Sequence, residues 1–484
     1  MKSEKNKPLL DTVISALALL PVAFLTVYLS MACSLRTINV FAFGQGAAGV
    51  FVPIFFAVYF VFLTLMIYIS YGVKSGAIKC GFVKAEGVIF STVSIALILN
   101  SFMVEWMNSF ASPLCIVMLL IGILLAPRIG LVSCLTSVLI AAILECPVSY
   151  LLTPAEFSLA TLLGSVDAFV AAFFVAFLLK GNKLSRFSLT WGTLAIAVCT
   201  SFIGGLLSLA DSVSIGSFFN GYFSSVLGNV VSVCIFTAIL PIYESVTRIW
   251  TDFKLAELCS LNQPILKQMS EEAPGTFSHE LTVANLAEAC ASDIGLNPYL
   301  ARACAYYHDI GKLNDPQFFS ENQKGYNPHD DLIPEVSVAK IRKHTRDGYE
   351  KCMKYKFPDE VCKAALEHHG NTPIMFFYMK AKKLGGNVDI SEFRYDCPTP
   401  TTKYSAIIML CDICESMSRA RPPESIEQLE ASVAGVIKDK LTDGQFDKCD
   451  ITISELQTIK ATIVKVIPAI LHKRIDYAKA KEER

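Results

Sequence analysis

The chain has 484 residues, is 53% hydrophobic and carries a formal net charge of −1. A mean hydropathy of +0.47 is too high for an ordinary soluble enzyme, so part of the chain is expected to lie in a lipid bilayer. The pI near 6.7 shows none of the basic excess of a polymer-binding surface, so no nucleic-acid polymer is expected as a partner and any nucleotide must be held locally.

Charges are sparse up to Glu244 and dense after Thr251, which sets a boundary near Trp250. Residues 1–250 read as a membrane domain of about eight apolar segments: Leu9 to Met31, Ala48 to Tyr71, Gly87 to Met107, Ser112 to Ala126, Ile129 to Leu144, Phe157 to Leu179, Ser188 to Ala210 and Gly221 to Val246. The fourth and fifth are short for a bilayer, and a hairpin around Pro127-Arg128 would reduce the count to six. Basic residues fall on alternate loops: Lys2, Lys5 and Lys7; Lys74, Lys79 and Lys84; Arg128; Lys180, Lys183 and Arg186; Arg248 and Lys254. The opposite loops hold Arg36 alone among basic residues, with Glu105, Glu145, Glu156 and Asp211 in or beside them. This pattern places both termini in the cytoplasm, and the length of the first segment argues against a cleaved signal peptide. Asp167 lies inside the sixth segment, where a carboxylate is costly unless it is paired or faces a polar interior; a sensing or transport site and a simple packed Asp both fit.

Residues 251–270 are expected to form a helical linker, and 271–484 an all-α domain. Asn297-Pro298, Pro358-Asp359 and the Thr452–Glu455 capping box mark helix starts. The 16 cysteines follow no disulfide framework and are expected reduced; Cys411 and Cys414 form a Cys-x-x-Cys inside a helical pattern.

Six of the 7 histidines lie between positions 279 and 369. His279, His308-Asp309, His344, His368-His369 and Asp412 fall on successive helices that could converge on one interior point. Imidazole with carboxylate suits a divalent transition metal, and adjacent His-Asp lets the carboxylate bridge two ions. Asp412 is flanked by Ile407, Ile408, Met409 and Leu410, where an unpaired carboxylate would be expensive to bury and a metal would supply its partner. His329 reads as a solvated loop residue and His472 as a helix-surface residue.

This order of residues, with "YYHDIGKL" around His308-Asp309, resembles the HD superfamily of metal-dependent phosphohydrolases in its two-metal form. The stretches "TDFKLAELCSLNQPILKQMSEEAPGTFSHELTVANLAEA", "NPHD" and "FRYDCPTPTTK" are similar to the seven-transmembrane HD proteins of bacteria, whose members hydrolyse cyclic di-AMP to pApA. The resemblance implies a polytopic helix bundle followed by an all-helical HD domain, in the inner membrane with the HD domain in the cytoplasm. Family members carry a large extracellular domain after one anchor helix; here only Ala32 to Ala47 stands in its place, which leaves extracellular sensing without a basis.

Carried over by position, one metal falls to His279, His308, Asp309 and Asp412 and the other to Asp309, His344, His368 and His369, both ions being manganese or iron. Lys312 is expected to act on the phosphate. Tyr326 and Arg419 are candidate substrate contacts, with Arg421 as a second phosphate clamp and Phe318, Phe319, Phe376, Phe377 and Tyr378 as further stacking candidates. The implied partners are a cyclic dinucleotide, the lipid bilayer and a second copy in a homodimer. "HHGNTPIMFFYMK" lacks the Gly-Tyr-Pro of the cyclic di-GMP hydrolases, which favours the adenine dinucleotide. The alternatives are hydrolysis of cyclic di-GMP or another nucleotide, and a nucleotide-binding membrane receptor without turnover.

Overall fold

A computed structural model describes residues 7–34, 45–74, 80–152, 159–180, 185–210, 212–385 and 388–470. Lys2, Lys5, Arg36, Lys79, Glu156, Lys183, Asp211 and His472 lie outside them. Among the described residues the chain is all-α, and one isolated bridge, Pro373 to Arg394, is its only extended pairing. It divides into two units, Met1–Thr251 and Asp252–Arg484.

The first unit contains α1 (Lys7–Ser34), α2 (Gln45–Lys74), α3 (Phe82–Trp106), α4 (Cys115–Leu124), α5 (Pro127–Leu152), α6 (Leu159–Lys180), α7 (Arg186–Leu207) and α8 (Ile215–Thr247). Among the described residues, 7 of these helices are long and apolar enough to cross a membrane; α4 is the exception. Its 10 residues reach about 15 Å, half of a hydrocarbon core of roughly 30 Å. The fifth segment, which reads as short, runs for 26 residues because Pro127 starts a helix that continues past Glu145.

The polypeptide from Asn108 to Leu114 has no α-helical turn, yet Phe110 to Leu114 are buried. Irregular backbone at membrane depth is tolerated only where protein satisfies its polar groups. Here the Asn108 side chain accepts from the Phe110 N–H at 3.0 Å, Ser232 Oγ donates to the Pro113 carbonyl at 2.7 Å, and the Cys134 thiol reaches the Leu114 carbonyl. Glycines let neighbouring helices come this close. A Cβ on Gly164 of α6 would lie 1.9 Å from the Ser109 carbonyl oxygen, and one on Gly228 of α8 would lie 2.7 Å from the Ala111 carbonyl carbon.

The second unit contains α9 (Asp252–Leu258), α10 (Pro264–Glu272), α11 (Pro274–Asp293), α12 (Pro298–Tyr307), α13 (Pro334–Lys354), α14 (Asp359–Glu367), α15 (Met375–Lys383), α16 (Lys403–Ala420), α17 (Ile426–Thr442) and α18 (Ile453–Ile470). The caps follow from the residues. Asn297 Oδ1 accepts from the Tyr299 and Leu300 N–H groups, and Thr452 and Glu455 bond reciprocally. α11 packs on α12, α16 and α18, while α14 packs on α12, α13 and α16, so four of the histidine-bearing stretches and the Asp412 helix share one core.

The stretch 251–270, read as a linker, contributes α9 and most of α10 to this unit. The Tyr307 hydroxyl donates to the Leu258 carbonyl at 2.8 Å, and its fully buried ring lies 4.6 Å from that of Phe357.

Gly164→Ala should lower the thermal midpoint of the purified chain, since overpacking costs about 1–3 kcal/mol. Gly87→Ala, with nothing within 4 Å of the added carbon, should leave it unchanged. Equal midpoints for the two variants would show that the Ser109 contact imposes no constraint.

Candidate metal centre

His308 and Asp309 stand where α12 ends and a tight 3-10 turn, Ile310–Asn314, begins. The turn lies directly on α13: a Cβ on Gly311 would sit 1.8 Å from the His344 carbonyl oxygen. His368 and His369 follow α14, whose last residue, Glu367, accepts from the Thr401 backbone N–H and hydroxyl and so fastens that end to the loop before α16. α11 supplies His279, and α16 supplies Asp412.

Ligand atoms of Asp309, His344, His368 and His369 lie within 4.8 Å of one another, as do those of His279, His308 and Asp412. Asp309 faces both groups. Its Oδ1 is 3.3 Å from His344 Nε2 and 3.5 Å from His368 Nε2, while its Oδ2 is 3.4 Å from His308 Nε2.

The hydrogen-bond pattern determines what these atoms can be. The Nδ1 atoms of His308, His344 and His368 donate to the carbonyls of Ala305, Ile341 and Ala364 at 2.7, 2.6 and 3.0 Å. Burial lowers the pKa of His308 to about 4 and that of His344 below its ordinary value, with Asp309 opposing in both cases. Burial likewise keeps His369 neutral, helped by the neighbouring His368 and His344. Each Nε2 of a neutral imidazole whose Nδ1 donates is a lone pair. Beside Asp309 Oδ1, the lone pair of neutral His344 Nε2 therefore meets a carboxylate oxygen with no proton between them. His308 Nε2 and Asp309 Oδ1 are buried without a hydrogen-bond partner, which is the arrangement a divalent cation completes.

In the second group, His279 Nδ1 donates to Glu415 at 2.6 Å and its Nε2 lies 3.0 Å from Asp412. Burial would lower its pKa, but the bonds to Asp412 and Glu415 outweigh burial and raise it to about 9.

Lys312 donates to Asp309 Oδ2 at 2.6 Å and to Glu321 at 2.8 Å; burial opposes its charge, but these carboxylates keep it protonated. A cavity of about 450 Å³ opens on this site, walled by His279, Lys312, Phe319, His344, His369, Tyr395, Asp412 and Arg419 among others. Arg419 is half exposed and lies 3.4 Å from Glu415.

The structure departs from several expectations. Tyr326 is exposed, is tied to Asp331 and lies outside the cavity wall. Arg421 is also absent from the wall, and of the other aromatic candidates Phe319 alone lines it. Phe377 and Tyr378 pack instead with Val338 and Phe393. His329 is not a solvated loop residue: it is buried, with Nε2 donating to the Phe318 carbonyl at 2.9 Å and its ring against Phe377. The Cys411 and Cys414 thiols are buried, and burial pushes Cys414 up to about 12, which suits inert packing.

Three residues come to notice through the structure alone. Glu415 lies one helical turn beyond Asp412, a spacing that places both on one face of α16. Glu321 holds Lys312 and accepts from the Thr276 hydroxyl. Tyr395 stacks on His369 with ring centres 4.3 Å apart, and no periodicity or spacing marks it in the sequence.

Residues 276–417 match the HD domain family. The second unit contains an HD domain. Over 259 residues the chain is 41% identical to the cyclic-di-AMP phosphodiesterase PgpH of Bacillus subtilis, covering 53% of this chain and 36% of that protein. Over 309 residues it is 37% identical to PgpH of Listeria monocytogenes, covering 63% and 42% respectively. The chain thus spans less than half the length of either curated relative. The crystal structure of the L. monocytogenes PgpH HD domain in complex with cyclic-di-AMP is 43% identical, covering 44% of this chain and 100% of that one, with a TM-score of 0.42. With its membrane-capable helices ahead of the HD domain, the chain is a multi-pass membrane protein.

A bound metal requires neutral His279, whereas the unliganded site favours the imidazolium below about pH 9. Binding then displaces a proton, so affinity should rise by roughly tenfold per pH unit between pH 6 and 8, measured by Mn²⁺ titration. Glu415→Ala should weaken binding by about 10–100-fold and flatten that dependence, while Glu415→Gln, which can still accept from Nδ1, should lose much less. A flat profile in the unmodified chain would remove His279 from the site.

Proposed function

We propose that the chain is a membrane-bound phosphodiesterase that hydrolyses cyclic di-AMP to pApA, using two divalent ions, manganese or iron. One observation carries the reading: two clusters of imidazole and carboxylate groups, both faced by Asp309, lie beside a cavity that also presents Lys312 and Arg419. The substrate is taken from the two PgpH relatives, both cyclic-di-AMP phosphodiesterases.

His279, His308, Asp309 and Asp412 would hold one ion, and Asp309, His344, His368 and His369 the other. Bound there, the ions would neutralise phosphate oxygens and acidify a water for in-line attack at phosphorus. Lys312 stays charged, so it cannot serve as a base; it sets a fixed positive charge beside the phosphate that is cut. Glu321 and Asp309 hold its ammonium in place, which limits rearrangement as charge develops. Arg419 stands on the same helix face, two turns beyond Asp412, and its exposed guanidinium can take the second phosphate of the ring. Phe319 and Tyr395 are the aromatic residues of the cavity wall and offer stacking surfaces for adenine.

The basic residues on alternate loops favour an N-terminus and an HD domain on the cytoplasmic side of the inner membrane. The stretch from Asn108 to Leu124, part irregular and part α4, would complete the eighth pass.

The purified full chain, supplied with Mn²⁺ or Fe²⁺ and offered cyclic di-AMP, cyclic di-GMP and pApA separately, should release pApA from cyclic di-AMP, identified by mass. Asp309→Ala should abolish turnover and metal binding together. Binding of cyclic di-AMP without product would make the chain a receptor, and preference for cyclic di-GMP would keep the chemistry but overturn the substrate.

A further inference from the structure

The first unit contains a polar cluster that phosphodiester hydrolysis does not use. Asp167 on α6 is 2% exposed. Its Oδ2 accepts from Ser225 Oγ of α8 at 2.5 Å, and Ser225 Oγ lies 2.8 Å from Ser201 Oγ of α7. A hydroxyl has one hydrogen, so Ser225 can donate to Asp167 or to Ser201 but not to both at once. Asp167 Oδ1 is left buried without a partner. So is Oδ1 of Asn229, one turn beyond Ser225 on the same face of α8 and 3% exposed. Three membrane-capable helices thus bring side-chain oxygens together at Asp167, Ser225 and Ser201, with Asp167 Oδ1 left unsatisfied.

The packing keeps this interior polar. A Cβ on Gly204 of α7 would lie 2.8 Å from Asp167 Oδ2, so glycine there leaves the carboxylate its room. Gly164, three residues before Asp167, and Gly228, beside Asn229, are the glycines on which the irregular segment Asn108–Leu114 rests, so unwound backbone packs on the same two helices. No lysine or arginine pairs with Asp167 among the described residues, and a lone carboxylate inside a bilayer must be neutralised.

We propose that Asp167, Ser201, Ser225 and Asn229 form a binding site for a monovalent alkali cation. The donors are all oxygen, which selects a hard ion over the transition metals that suit imidazole. The site carries a single negative charge, which a monovalent ion balances. Unwound backbone beside a buried carboxylate is the setting in which membrane proteins coordinate such ions. A proton is the competing occupant.

The chain's 3 tryptophans, Trp106, Trp191 and Trp250, all belong to the first unit, so their emission follows the unfolding of that unit alone. The experiment uses the full chain in detergent, with NaCl, KCl or LiCl replacing choline chloride at constant ionic strength. At least one alkali ion should raise the thermal midpoint saturably. Asp167→Asn, which keeps an acceptor for Ser225, should abolish the rise, and Asn229→Ala should move half-saturation to about tenfold higher salt. Identical midpoints in all four salts would overturn the proposal, as would a rise that survives Asp167→Asn. A midpoint that depends on pH but not on the alkali ion, with that dependence lost in Asp167→Asn, would assign the carboxylate to a proton and overturn it equally. If Asp167→Asn does not fold, Asn229→Ala decides: unchanged half-saturation overturns the site.

Discussion

Around Asp309 Oδ1, lone pairs meet where a folded protein would ordinarily place a donor, and most of the C-terminal unit serves to keep them there. Carbonyls of the residues' own helices take the Nδ1 hydrogens of His308, His344 and His368, so each ring is turned with Nε2 inward. Gly311 allows the turn after Asp309 to touch the backbone of α13 at His344. Glu367 anchors the turn that carries His368 and His369. Without a cation such an interior repels itself. Such an arrangement in a buried core marks a candidate site.

The ligand set was legible in the sequence because imidazoles are rare, clustered and set at helix ends. Each residue could be dismissed singly, but their order along the chain could not. What surrounds them was far less legible. Tyr395 comes from an irregular loop, where no period indicates which way a side chain points, and it lines the cavity, whereas Tyr326 lies outside the wall. His329 looked solvated because its neighbours in sequence are polar, yet burial depends on neighbours in space, here Phe318 and Phe377. Glu415 could have been found by counting one helical turn from Asp412. The criterion it needed was a carboxylate behind a ligand histidine rather than beside a metal.

Hydropathy located the spans of the membrane half but not their internal form. A window average treats Ser112 to Ala126 as one apolar run, whereas Pro113 prevents the helix from starting before Leu114 and splits the run into irregular backbone and a short helix. The residues that make this tolerable, Gly164, Gly228 and Ser232, lie on other helices and take their meaning only from the contact. The stretch 251–270, expected as a helical linker, forms α9 and most of α10. A change of composition marks a change of solvent, but α9 is held by the Tyr307 hydroxyl, next in sequence to the ligand His308, and so belongs to the unit that follows it.

The buried carboxylates of the chain show one rule met in different ways: each must lose its charge or share it. Glu244 is joined by Arg186 and the Thr251 hydroxyl. Asp412 has His279, and Asp309 has Lys312 together with the histidines. Glu280, completely buried with both oxygens unpartnered, is pushed by burial far above the carboxylate range and so sits as a neutral acid behind His279. Partners of fixed charge make structure, as Arg186 does. Partners that can exchange, whether a proton on imidazole or a cation between lone pairs, make chemistry, because the fold survives the exchange. Asp309 combines the two: Lys312 holds its Oδ2, while its Oδ1, buried without a hydrogen-bond partner, is open to a cation.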